Sequence, residues 1–342
     1  MENATSSWLE SVLSASVRHT IFSVNSSVLL VLSLAGLPSN ILNMAIFRKL
    51  GLDSSINISF FSLSAADFFC ACIYAVLALI MMDMSGLIDI GVDLADIQFL
   101  LATVFVCIST FGSWVTTLIS MERCYCVVAP VSVKQVCTRK STIGLIVGML
   151  LVQVAIIATN LYAVRIYMDR SPEGDRPRAV LDNAGTNGRL FVTLLFWGTS
   201  VPTLVCFGVI VLSTVFLAIA LRQRSTWLQS LPGQRTGTIA VNRKLIMTVV
   251  AISVIYIACF VPSVAVGVLY FFIPALNPFQ SEKRDLALAI GSFVRISQAL
   301  SGVLNIFVYV RMNTRFRDCL KTLLCTLCAQ LRVRVYQDER TS

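Results

Sequence analysis

The chain has 342 residues, 56% of them hydrophobic and only 13% charged, with a net charge of +9. A soluble domain carries about a quarter of its residues charged, which is what keeps its surface in water. This composition excludes a soluble domain and points to a membrane protein.

Residues 1–24 read as an extracellular N-terminus. They hold Glu2, Glu10 and Arg18 among several serines, with no apolar core of the length a cleavable signal needs. The first helix is therefore expected to act as its own insertion signal. Asn3-Ala-Thr and Asn25-Ser-Ser are glycosylation sequons on this side, Asn3 being the better placed because Asn25 lies close to the membrane. Asn57-Ile-Ser matches too, but on the inner side, where no glycan is added.

Seven apolar runs follow, over 25–47, 57–82, 97–121, 141–164, 190–221, 242–272 and 286–310. Each reaches the roughly 20 residues that a helix needs to cross the hydrocarbon layer at about 1.5 Å per residue. Barrel strands need only about 10 residues with alternating polarity. A helical bundle is the arrangement that satisfies the backbone of such runs inside lipid. The expected fold is an all-α membrane protein, with a seven-helix transmembrane domain over 25–310.

The outer loop at 165–189 is the largest and mixes Arg, Asp, Pro and Gly, while the inner loop at 222–241 carries only basic charge and turns at Pro232-Gly233. The cytoplasmic tail is read as 311–342. Within it, Phe316, Leu320, Leu323 and Leu324 recur at helical spacing beside Arg315, Arg317 and Lys321. That pattern predicts a short amphipathic helix in the membrane interface, in contact with lipid. Cys325 and Cys328 follow it as candidates for palmitoylation.

Loop charge sets the orientation. With the N-terminus outside, the inner segments hold seventeen basic residues against four acidic ones, and the outer segments hold eight against twelve. The positive-inside rule favours this topology. The basic excess then faces anionic lipid and calls for no nucleic-acid partner. No outer segment contains a cysteine, so no extracellular disulfide is available there.

Charges within the runs are few and, being costly there, mark function. They are Asp67, the pair Glu122-Arg123, and Arg295. Around them stand Asn40, Ser62-Leu-Ser-Ala-Ala-Asp67, Glu122-Arg123-Cys124 with Pro130 beyond it, Pro202, Tyr256-Ile-Ala-Cys259-Phe260-Val-Pro262 and Asn305-Ile-Phe-Val-Tyr309, followed by Phe316-Arg317. In this order, each on its own helix, they resemble the rhodopsin-like (class A) G protein-coupled receptors over residues 36–328. Three stretches, beginning at Ile46, Glu122 and Asn305, look like a group of molluscan receptors described as chemosensory or as orphan peptide-type.

The resemblance implies roles. Pro202 and Pro262 would remove backbone hydrogen bonds and permit bends, with Pro262 the hinge of the sixth helix and Phe260 an aromatic switch beneath the ligand. Asp67, Asn305 and Ser301 would form a polar centre between the second and seventh helices. Arg123 would be held by Glu122 at rest and released towards a heterotrimeric G protein. Tyr309 ends a small or polar stripe that begins with Arg295, Gln298, Gly302 and Asn305, expected on one inward face. Tyr74, Phe105 and Phe260 would line the apolar part of a ligand pocket, with Gln298 beside them.

Departures from the family pattern bear on function. Gln98 stands where a third-helix cysteine is expected and Ile306 where a proline is, and the fourth-helix tryptophan is absent, with Leu150 near its place. Gly112 and Gly302 stand where a sodium site would want hydroxyls, which argues against sodium binding; no other metal and no cofactor is expected. Ile210 replaces a tyrosine that would partner the activated Arg123, and Asn242 replaces an acid that would lock it. Phe105 takes the place of the aspartate that pairs with amines, which argues against a monoamine. No lysine lies in the seventh helix, which excludes retinal chemistry. Arg295 favours an extracellular ligand with a carboxylate or other anion, unless it pairs with Asp285 or Glu282.

A ligand-activated receptor of chemosensory or neuropeptide type is thus expected in the plasma membrane. A non-signalling receptor-like scaffold, favoured by Ile306 and Ile210, is the alternative. An enzyme is not expected: His19 is the only histidine and is read as outside the bundle, so neither a multi-histidine metal site nor a Ser/His pair can be assembled.

Overall fold

The computed structural model describes residues 15–129, 132–162, 165–170, 177–182, 196–229, 236–272 and 284–326. Seven of its helices are long and apolar enough to cross a membrane. They are Ala15–Lys49, Ser55–Met84, Ala95–Val128, Arg139–Tyr162, Val201–Gln229, Thr236–Phe272 and Arg284–Met312, referred to below as the first to seventh. The protein is an all-α, multi-pass membrane bundle.

Most of these helices overrun their apolar stretches because backbone hydrogen bonding continues wherever no breaker intervenes. The first begins at Ala15 and takes in His19, whose side chain is exposed, so His19 belongs to the bundle's first helix rather than to a free terminus. It ends on Arg48 and Lys49, whose charges suit the negative end of a helix dipole. Gly51, at φ 93°, then reverses the chain, and Asn57 Nδ2 closes the turn by donating to the Gly51 carbonyl at 2.9 Å.

Outside the bundle the outer loop forms an antiparallel pair that the sequence reading does not anticipate. Strands β1, Arg165–Arg170, and β2, Pro177–Asp182, pair with Arg165 opposite Asp182 and Arg170 opposite Pro177. β2 packs on the third helix. The fifth helix is preceded by a π turn, Phe196–Ser200, and residues 190–195 of the expected run lie outside the described residues. After the seventh helix, residues 314–326 are helical, close to the amphipathic segment expected there.

The third helix sits centrally, touching the second, fourth, fifth and sixth, while the seventh closes the ring against the first and sixth. The fourth helix lies at the edge and turns Leu145, Val147, Leu151 and Val154 outwards, as lipid allows. The main core fills the inner half. Phe47, Phe60, Tyr309 and Phe316 interlock there with ring centroids 5.0–5.4 Å apart, which fastens the terminal helix to the first, second and seventh.

Candidate functional site

Asp67 stands half-buried midway along the second helix, where its carboxylate Oδ2 accepts from Asn305 Nδ2 at 2.8 Å. Gly302, one turn before Asn305, makes room for it: a Cβ there would lie 3.5 Å from the Asp67 carboxyl carbon. Gly36 lets the first helix close on the second and seventh, since a Cβ there would meet Ala71 at 3.4 Å and Val303 at 3.6 Å. Asn40, fully buried, spends its amide on the Gly36 carbonyl at 3.0 Å. The inward stripe of the seventh helix is realised, with Arg295, Gln298, Asn305 and Tyr309 buried and Gly302 against Asp67.

Above Asp67 a cavity of about 40 Å³ opens between the helices, with Asp67, Tyr74, Ser109, Tyr256, Phe260 and Gln298 on its wall. Each enclosed water needs roughly 10–15 Å³ of such space, so a few waters or a small polar group fit. The Gln298 carbonyl oxygen is buried without a hydrogen-bond partner, an acceptor waiting for a donor. Gly112 lies on the same wall and brings no hydroxyl.

Two expected pocket residues are not on this wall. Phe105 packs its ring on Tyr74 at 4.8 Å, in a buried cluster with Leu29 and Ala299, so it supports the pocket from behind. Arg295 lies one turn outward of Gln298, buried, and donates through Nη2 to Met81 Sδ at 3.4 Å. Gly291 permits that placement, because a Cβ there would come within 3.2 Å of Arg295 Nη1. Of the acids named as partners, Glu282 and the Asp285 side chain lie outside the described residues.

On the cavity wall, Phe260 stacks on Tyr256 with centroids 4.0 Å apart and planes 18° apart. Both share a buried cluster with Ile210 and Cys259. Pro262 lies inside the sixth helix, where its missing N–H leaves the Ala258 carbonyl without its helical bond. Pro202 is the second residue of the fifth α-helix, which continues without a break from the π turn Phe196–Ser200, so its missing N–H and the irregular backbone fall together. Gly198 serves that turn: a Cβ there would meet Ile156 at 2.6 Å.

At the inner end of the third helix Glu122 is buried and committed sideways. Its Oε1 accepts from Ser55 of the second helix and, at 3.2 Å, from Thr142 of the fourth. Arg123 Nη2 is 4.0 Å from Glu122 Oε2, the outer limit of an ion pair, and Arg123 Nε has no hydrogen-bond partner. The expected hold of Glu122 on Arg123 is therefore slack. Nearby, Arg139 Nη1 bonds Asp53 Oδ1 at 2.8 Å on the exposed surface, a contact of small energetic weight.

A family model described as 7 transmembrane receptor (rhodopsin family) matches residues 39–309, most of the chain. The chain belongs to that family. No curated protein matches the receptor individually.

Within the receptor, the amide of Asn25 is buried in the first helix and donates to Ser292 Oγ at 2.7 Å. A glycan requires that nitrogen free and in water, so Asn25 is a structural residue and not a glycosylation site. Asn3 and Cys328 lie outside the described residues; Cys325 is exposed with a free thiol near the end of the terminal helix. Gln98, fully buried where the family pattern has a cysteine, leaves both ends of its amide without hydrogen-bond partners.

Several site residues were not evident from the sequence: Ser55 and Thr142 as partners of Glu122, Gly291 beside Arg295, and Ser113 beneath Tyr256. A signal existed for the last. Ser109, Ser113, Thr116 and Ser120 recur every three or four residues, a hydroxyl stripe that marks an inward face on an apolar helix.

Proposed function

We propose that this receptor is activated by an extracellular ligand and promotes nucleotide exchange on a heterotrimeric G protein, without bond-making chemistry of its own. The observation that carries the reading is Arg123, half-buried at the basic end of the bundle and only loosely restrained by a Glu122 already engaged by Ser55 and Thr142. An arginine so poised exchanges one acceptor for another at little cost when the bundle opens. The reading includes a plasma-membrane location with the N-terminus outside, in accord with the positive-inside rule.

The ligand is proposed to be a peptide or small molecule with an anionic group near Arg295, met in chemosensory or neuropeptide signalling. A buried guanidinium one turn outward of the cavity supports the anion. Palmitoylation of Cys325 and Cys328 and a glycan on Asn3 belong to the same proposal.

The test is G protein activation in cells expressing the chain, screened with peptides and small anions. A response that Arg123→Ala abolishes and Arg295→Ala weakens for anions supports the reading. Silence across G protein classes despite good surface expression supports a non-signalling scaffold, consistent with Ile306 in the seventh helix.

A further inference from the structure

We propose, resting on the receptor reading, that the cavity above Asp67 receives a protonated amine at the inner end of the ligand, held between Gln298 and Asp67.

The polar groups on the cavity wall are unevenly committed. Ser33, Asn40, Thr116, Tyr256 and Asn305 each direct a donor to a protein acceptor, at 2.6–3.0 Å. Tyr256, for one, donates its hydroxyl to Ser113 Oγ at 2.7 Å. Gln298, 8% exposed, instead leaves its carbonyl oxygen without a hydrogen-bond partner. The wall also carries the Asp67 carboxylate and, among the described residues, no Lys, Arg or His. An occupant must therefore donate hydrogen bonds. One with positive charge also balances a carboxylate drawn away from water, whereas an anion meets repulsion from Asp67 and no welcome at the Gln298 carbonyl. The third helix supplies no carboxylate to this wall, since Phe105 packs behind Tyr74.

The spacing suits a single nitrogen. Gln298 stands one turn outward of Gly302, which faces Asp67, so about 6 Å of helix separates the two levels. Two N–H···O bonds of about 2.9 Å through one nitrogen bridge such a gap. Tyr74, Tyr256 and Phe260 add aromatic rings to the same wall, and rings attract an organic ammonium. Gly112 and Gly302 bring no hydroxyls that would favour a bare metal cation over an N–H donor. The cavity's volume of about 40 Å³ holds the nitrogen and the methylene next to it, each close to a water in size. The rest of the ligand then runs outward, towards Arg295 one turn beyond Gln298. Its amine lies inward and its anionic group outward, which makes it a zwitterion.

The experiment follows the denaturation temperature of the full chain in lipid nanodiscs, which needs no G protein. The probes are n-butylamine, n-butanol, butanoate and sodium chloride, with ionic strength held by potassium chloride. Butylamine is expected to raise the temperature with concentration, as mass action requires, and the other three to leave it unchanged. Gln298→Leu and Asp67→Asn are each expected to weaken butylamine binding about tenfold or more, the weight of one hydrogen bond to a charged group. Equal stabilisation by butanol, stabilisation by sodium that butylamine displaces, or butylamine binding untouched in Gln298→Leu overturns the proposal. Where a variant fails to fold, the comparison of butylamine with butanol and sodium on the unaltered chain decides alone. Selective butylamine binding by a chain that activates no G protein with any amine upholds the site and overturns the signalling reading instead.

Discussion

The seam joining the first, second and seventh helices to the terminal helix and the seam joining the third to the sixth use opposite materials. The former is dry and aromatic. Four rings interlock there, and Phe47 touches the other three. The latter is crossed by short hydroxyl bonds between otherwise apolar faces. Interlocked rings resist displacement because every shift loses dispersion contacts on several sides at once. A hydroxyl bond can be broken and its groups rematched at modest net cost. The bundle thus has a frame and a movable part, and the difference between them is chemical before it is geometric.

The largest expected effect breaks the frame. Phe47→Ala should cost about 3–5 kcal/mol, the usual range for deleting a buried ring, and should appear as a lower denaturation temperature in nanodiscs with reduced surface expression. Arg123→Ala should do the reverse, cutting G protein activation at least tenfold while leaving the denaturation temperature unchanged. Glu122→Gln removes the charge from two hydrogen bonds, each worth roughly 1.5–3 kcal/mol when charged. It should loosen the inner ends of the second, third and fourth helices, read as faster hydrogen exchange there. Thr142→Val should give the same pattern at about 1.5–3 kcal/mol, the weight of one such bond. The smallest effect sharpens the comparison at the outer end: Asn25→Gln should leave the electrophoretic mobility unaltered by any glycan loss, whereas Asn3→Gln should remove a glycan-sized increment.

The fold was legible because its signals are long. Seven apolar runs need no knowledge of neighbours, and the described helices contain them apart from the start of the fifth and a few residues at the end of the fourth. The inward stripe of the seventh helix was legible for a related reason: five positions at helical spacing define a face by themselves. Single polar residues on apolar helices carry no such direction. Ser55 and Thr142 could not be assigned partners until the rotation of each helix was fixed, and Phe105 read as a pocket wall when it is a buttress behind Tyr74. The β1–β2 pair lay hidden in a stretch whose mixed charge masks any alternation, although Pro172-Glu-Gly-Asp between the strands is a turn-forming sequence.

The buried Gln98 has a practical consequence. Where an outer cysteine pair would have to be oxidised before the extracellular face could set, this chain offers none, and its ten described cysteines are all free. Among the described residues no disulfide ties the end proposed to face the ligand, so a reductant in the medium has no covalent tie there to cut. Preparations for ligand screening can be kept under a non-thiol reductant, which protects an unacylated Cys325 from cross-linking one molecule to the next.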